Sequence, residues 1–179
     1  MERSKHYNWS VIFVGLGLSC IAVSCSSLKV LSLAKNKQLQ DSDFEIAFKT
    51  GFNNLISLDI SYSSLTGQCF NNLNCPFMRK INVNCSSRLK TKGALILLTR
   101  VGDTLQHLDL SVTKIDDDFF TTLRNFNSNA VKTLYLDFCE SISPLRLQES
   151  LPESFPSLKV LSIFGMASTC ERGKFYLDL

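Results

Sequence analysis

One apolar phrase occurs six times along the chain, and its fixed frame constrains the fold more than any other feature. The copies are residues 28–33, 55–60, 78–83, 105–110, 131–136 and 158–163. Each reads apolar-x-x-apolar-x-apolar, and their first positions lie 27, 23, 27, 26 and 27 residues apart. A period of that size marks a supersecondary unit that cannot bury its apolar side alone, so copies stack into one continuous core. Such an array makes a long surface and brings no chemistry of its own.

Within a unit, Thr133-Leu134-Tyr135-Leu136 alternates with the period of a half-buried strand. Five to six residues then turn the chain, and a further apolar residue follows: Leu39, Leu65, Leu89, Ile115 or Ile142. Beyond it the spacing lengthens to a helical period, as in Ile115, Phe119, Leu123 and Phe126. Asp116, Asp117 and Asp118 stand where that helix begins, as Asp41 and Asp43 do in the first unit, and carboxylates there complement the helix dipole. The expected fold is an α/β solenoid, an open curved horseshoe with parallel strands on the concave side and helices on the convex side. The short second unit predicts a shortened helix around residues 69–73. Pro144, Pro152 and Pro156 predict a fifth convex segment broken into pieces.

The domain reading follows the frame: an N-terminal tail over 1–14, the array over 15–166, and a tail or partial cap over 167–179. The N-terminus supports two readings. Arg3 and Lys5 precede the apolar run 11–23, and Ala22-Val23-Ser24 resembles a cleavage site, the outline of a secretory signal. Register favours a convex helix of an incomplete earlier unit. Ile21 lies seven residues before Leu28, as Phe48 does before Leu55 and Leu98 before Leu105. The run is too short and glycine-interrupted for a membrane span.

Seven cysteines, an odd count without C-x-x-C pairs or His-spaced clusters, argue against zinc. Cys25 and Cys75 each lie three residues before a first apolar position. Cys139 occupies a position that other units fill with Asn36, Ser63, Ser86 and Thr113. Placement in register points to reduced structural thiols and to the cytoplasm or nucleus, with secretion the alternative if residues 1–24 are a signal. A net charge of +3 without a Lys/Arg stripe argues against nucleic acid. Gly15-Leu16-Gly17 lacks the pattern of a phosphate loop. His107 and Asp109 face one side of a strand with no nucleophile signature beside them, so no enzyme and no cofactor is expected. The sequons Asn8-Trp9-Ser10 and Asn84-Cys85-Ser86 weigh little.

Residues 25–33 and 134–142 resemble cysteine-containing leucine-rich repeats, whose unit reads C-x-x-L-x-x-L-x-L-x-x-C-x-x-I-T/S. That subfamily is best known from F-box/leucine-rich-repeat proteins, the substrate receptors of cullin-based ubiquitin ligases. The resemblance spans roughly residues 15–165 and implies a leucine-rich-repeat solenoid that selects protein partners, with ubiquitin-ligase adaptor components among them. No F-box is visible, and the Leu151-Pro152-Glu153 segment lies inside the array.

In such repeats the non-apolar strand positions face the concave side. They are Val30, Ser32, Ala34 and Lys35, then Ser57, Asp59, Ser61 and Tyr62, then Lys80, Asn82, Asn84 and Cys85. The later units supply His107, Asp109, Ser111 and Val112, then Thr133, Tyr135, Asp137 and Phe138, then Val160, Ser162, Phe164 and Gly165. The candidate partner-binding residues among them are Asp59, Tyr62, His107, Asp109, Tyr135, Asp137, Phe138 and Phe164. Aromatic anchors beside charges are characteristic of protein-binding hot spots. The expected ligand is a basic or aromatic segment of another protein, docked around Asp109, Tyr135, Asp137 and Phe138.

Overall fold

The computed structural model of the protein describes residues 15–123 and 128–166. Its elements alternate: α1 (Gly15–Ser24), β1 (Val30–Ser32), α2 (Asp41–Thr50), β2 (Ser57–Asp59), a 3₁₀ helix (Gln68–Asn72) and β3 (Lys80–Asn82). Then come α3 (Thr91–Val101), β4 (His107–Asp109), α4 (Asp118–Leu123), β5 (Thr133–Tyr135), α5 (Pro144–Ser154) and β6 (Val160–Ser162). The six strands form one parallel sheet in chain order.

The register follows from the repeated phrase. Leu31, Leu58, Ile81, Leu108, Leu134 and Leu161 pair in one row across the sheet. Their side chains point at the helices, and the first five are buried. A one-residue slip would turn all of them to solvent, so the register is strongly specified. Each helix or 3₁₀ segment packs on the next one along the chain, closing the other side of the core. Phe44, Phe48 and Phe52 add a chain of ring contacts at 5.2 and 6.5 Å.

α1 packs against α2 and buries Leu18 and Ala22, the place in its unit that α2 and α3 hold in theirs. The second unit is short because a 3₁₀ helix replaces an α-helix. α3 reaches it by close approach: a Cβ on Gly93 would stand 2.1 Å from the Thr66 carbonyl oxygen. Gly67, at φ +94°, lies on the other side of that contact. The lack of two side chains lets a 23-residue unit stack in line with longer ones.

The prolines behave differently from the expectation. α5 is continuous from Pro144 to Ser154 with Pro152 inside it. Pro144 follows the N-cap Ser143, where the missing N–H has no intrahelical partner to lose. Pro152 stands in the last turns on the exposed side, and Pro156 follows the helix end. Phe126, the first sequon and the cap assigned to 167–179 lie outside the described residues.

Helix-start carboxylates tie units together as well as complementing their own helices. Asp41 accepts from the Thr66 N–H at 2.8 Å, the Thr66 hydroxyl at 2.8 Å, the Gly67 N–H at 3.0 Å and the Cys69 N–H at 3.1 Å. Burial pushes its carboxyl pKa up, but the Thr66 and Cys69 hydrogen bonds outweigh this and hold it below 3.8. Asp117 accepts from the Ser143 N–H at 2.7 Å in the same way.

Inside the core, Ser63 and Ser86 share a hydrogen bond at 3.1 Å, and the Cys139 thiol donates to the Leu110 carbonyl at 3.3 Å. The Cys75 thiol donates to the Phe52 carbonyl at 3.1 Å, and burial pushes its pKa up to about 12. Burial also raises Cys69 and Cys139. The six described cysteines are free thiols.

Candidate functional site

Three rows of side chains follow one another along the strands, from their starts to the turns that end them. Where the strands begin, Lys29, Arg79, Lys132 and Lys159 are exposed, with Lys80 and His107 beside them as first strand residues. The middle row is the third strand residue: Ser32, Asp59, Asn82, Asp109, Tyr135 and Ser162. The last row lies three residues on, where every unit turns through a left-handed residue. These are Lys35, Tyr62, Cys85, Val112, Phe138 and Gly165, with φ of 64, 58, 58, 56, 56 and 71°.

The turn row is strained for a reason visible in its hydrogen bonds. The N–H groups of Lys35, Tyr62, Cys85, Val112 and Phe138 donate to the carbonyls of Ser61, Asn84, Ser111, Asp137 and Phe164 at 2.7–2.9 Å. The ladder thus continues past the strands even as the chain bends away. A left-handed conformation costs a residue with a Cβ roughly 1–2 kcal/mol, and for β-branched Val112 it is an outlier. The cross-unit bonds and packing offset that cost. The conformation also leaves Tyr62, Val112 and Phe138 at 42%, 40% and 46% exposure, aligned along one edge of the face. Phe164 joins them, its ring 5.3 Å from Phe138 at an angle of 78°. Gly165 makes room: a Cβ there would stand 2.4 Å from the Phe138 ring.

The recurring acids have a structural task that sequence alone concealed. Asp59 accepts from the Ser61 N–H at 3.0 Å, Asn82 from the Asn84 N–H at 2.9 Å and Asp109 from the Ser111 N–H at 2.9 Å. These are side-chain turns that steer the chain out of the strand. In the fifth unit Tyr135 takes that position. Asp137, two residues later, accepts from the Ser162 hydroxyl at 2.6 Å and the Phe164 N–H at 2.7 Å. One oxygen of each carboxylate therefore serves the fold, and the second oxygen of Asp109 also accepts from the Asn84 side-chain amide at 3.4 Å.

Of the predicted residues, the structure gathers Asp59, His107, Asp109 and Tyr135 around one open depression of about 240 Å³, floored by the backbone of Leu58, Ile81 and Leu108. Tyr62, Asp137, Phe138 and Phe164 lie at the strand ends beyond it. Three positions read as surface are not: Ser61, Ser111 and Thr133 are buried at 5%, 2% and 7% exposure. Neighbouring strands crowd them, and the Ser111 hydroxyl accepts from the Asp137 N–H at 3.2 Å.

Sequence reasoning missed the basic rim. Its signal was in frame, because Lys29, Arg79, Lys132 and Lys159 all occupy the second position of the repeated phrase. Two rim charges act on His107. Partial burial first, then the fields of Lys80 and Lys132, push its pKa below 6.5. Tyr62 responds to its neighbour on the turn row: a hydrogen bond with the Cys85 thiol, then that group's field, raises its pKa above 10.

Among the described residues no cluster of three or more His, Cys, Asp or Glu is placed to hold a metal ion. Among them, too, no helix is long and apolar enough to cross a membrane. What the face offers is shape, exposed rings and charge.

No family model matches the chain, and no curated protein matches it in sequence. Its fold does match a solved structure. A chain from the crystal structure of the Rad7 and Elc1 complex in yeast superposes with a TM-score of 0.65 at 19% identity. The match covers 88% of this chain and 42% of that one, so this chain spans less than half of its length. The protein shares that fold: an α/β arrangement of stacked units with one all-parallel sheet.

Proposed function

We propose that this protein is a recognition module of leucine-rich-repeat type, which binds another protein across the face of its sheet and catalyses no reaction. The observation that carries the reading is the row of exposed Tyr62, Val112, Phe138 and Phe164 held on a rigid ladder. Large apolar side chains fixed in place lose little entropy on binding, which suits them to anchor a partner. Asp59, His107, Asp109, Tyr135 and Asp137 form the polar surroundings. The resemblance to F-box/leucine-rich-repeat proteins points to substrate selection in a ubiquitin-ligase pathway. The shared fold with a chain crystallised in the Rad7–Elc1 complex agrees with a protein that works bound to others. Among the described residues six thiols are free, three of them buried with raised pKa, which fits the cytoplasm or nucleus.

Affinity capture of the tagged chain from cells, followed by mass spectrometry, tests the pathway. Recovery of cullin-ligase adaptor components supports it, and their absence across conditions counts against it. The alternative of a secreted ligand-binding protein is separated by N-terminal sequencing of the mature chain. An intact Met1 excludes cleavage.

A further inference from the structure

The rim where the strands begin carries charge that the fold does not use. Lys29, Arg79, Lys80, Lys132 and Lys159 are exposed, and among the described residues none forms a salt bridge. Their backbones are locked together: the Arg79 carbonyl accepts from the Gln106 and His107 N–H groups at 2.9 Å, and the Lys132 carbonyl from Lys159 and Val160 at 2.8 and 3.0 Å. Strands about 4.8 Å apart fix the spacing of the backbone positions that carry these cations. The depression begins at Lys80 and His107, so its mouth carries one exposed cation, while Asp59 and Asp109 line it further along the strands. The carboxylates on the same face stand two strand residues further on, about 7 Å away, each with one oxygen bound to a backbone N–H.

We infer that this rim receives the acidic side chains of the partner's docking segment, while that segment's apolar side chains rest on the turn row of Tyr62, Val112, Phe138 and Phe164. This rests on the recognition reading above and specifies the partner's chemistry. Charge complementarity selects the occupant. Unpaired, exposed cations beside an open depression attract carboxylates. A nucleic-acid backbone fits less well, because it would carry its phosphates over Asp59 and Asp109 as well as over the lysines.

The test uses the intact chain as bait for a random twelve-residue peptide library displayed on phage. The strongest binders are then made as labelled peptides, and their affinity is measured for wild type, Lys80→Glu/Lys132→Glu, Lys80→Gln/Lys132→Gln and Tyr135→Ala/Phe138→Ala. Circular dichroism melts establish that each variant folds. The expected binders are enriched in Asp and Glu together with aromatic or aliphatic residues. They bind the Glu variant at least tenfold more weakly and the Gln variant several-fold more weakly, and their affinity falls as salt is raised. Binders without an acidic excess, or with unchanged affinity for both charge variants, overturn the inference. If such binders are still weakened by Tyr135→Ala/Phe138→Ala, the recognition face stands and only the assigned charge fails. If neither pair matters, or if nothing is enriched, the face itself is refuted. A labelled twelve-nucleotide single strand serves as the control. Its binding in the same range, lost in the Glu variant, assigns the rim to nucleic acid instead.

Discussion

At the scale of single residues, the fold depends on side chains doing backbone work. Val112 holds a left-handed conformation at φ 56° although β-branching disfavours it, and its side chain is 40% exposed. Asparagine tolerates that region without glycine's loss of chain entropy. Val112→Asn should therefore raise stability by roughly 1 kcal/mol, read from the denaturant midpoint at unchanged slope. An unchanged or lower midpoint would mean that contacts of the valine outweigh its strain. Asp41 poses the opposite case. It collects four hydrogen bonds from the next unit, and Asp41→Asn should destabilise by about 1–3 kcal/mol, less to the extent that the site is solvated. Its pKa is lower folded than the 3.8 of the unfolded chain. The unfolded state thus takes up the proton first, so the contribution is present above that value and is lost as pH falls through the folded pKa. Acid melts of wild type and Asp41→Asn should converge as pH drops below 3.8.

At the scale of elements, close approach between neighbours takes over from propensity. The irregular second unit stacks because Gly67 and Gly93 let the 3₁₀ segment and α3 meet backbone to backbone. Gly93→Ala should cost about 1–3 kcal/mol in spite of alanine's better helix propensity, because the Thr66 carbonyl occupies the space its methyl needs. A thermal melt at or above wild type would contradict this contact. The strands were legible in the sequence because period-two alternation and the 27-residue frame agree at every unit except the second and fourth intervals. The shortened helix near Cys69 was legible from the 23-residue interval. The continuity of α5 was not. Reading Pro144 and Pro152 as breakers neglected that an N-cap serine makes the first a good start and that the second loses a single exposed bond. The roles of Asp41 and Asp117 were half-legible: their place at helix starts could be read, but their partners lie in the next unit.

At the scale of the whole molecule, the stacking frame produces a face with a direction. Cations gather where strands begin, turn-forming acids stand in the middle, and rings line the far edge. Sequence picked out the rings and the acids because aromatics and carboxylates recur at fixed positions. It could not tell that Asp59, Asp109 and Asp137 are partly spent on backbone N–H groups, nor that Ser61, Ser111 and Thr133 are covered. Those facts depend on spacing between neighbouring units, which a single repeat does not encode. The central claim is that this face, and not the helical side, recognises protein. It is tested most directly by titrating a partner recovered by affinity capture against wild type, Tyr135→Ala/Phe138→Ala and a helical-side control, Ile46→Ala/Leu145→Ala. Both pairs are exposed, and the control side chains lie on α2 and α5. The account predicts at least tenfold weaker binding for the Tyr135/Phe138 variant, with an unchanged melting temperature and an unaffected control. Equal affinity for wild type and the Tyr135/Phe138 variant, or a loss confined to the helical-side variant, would contradict it.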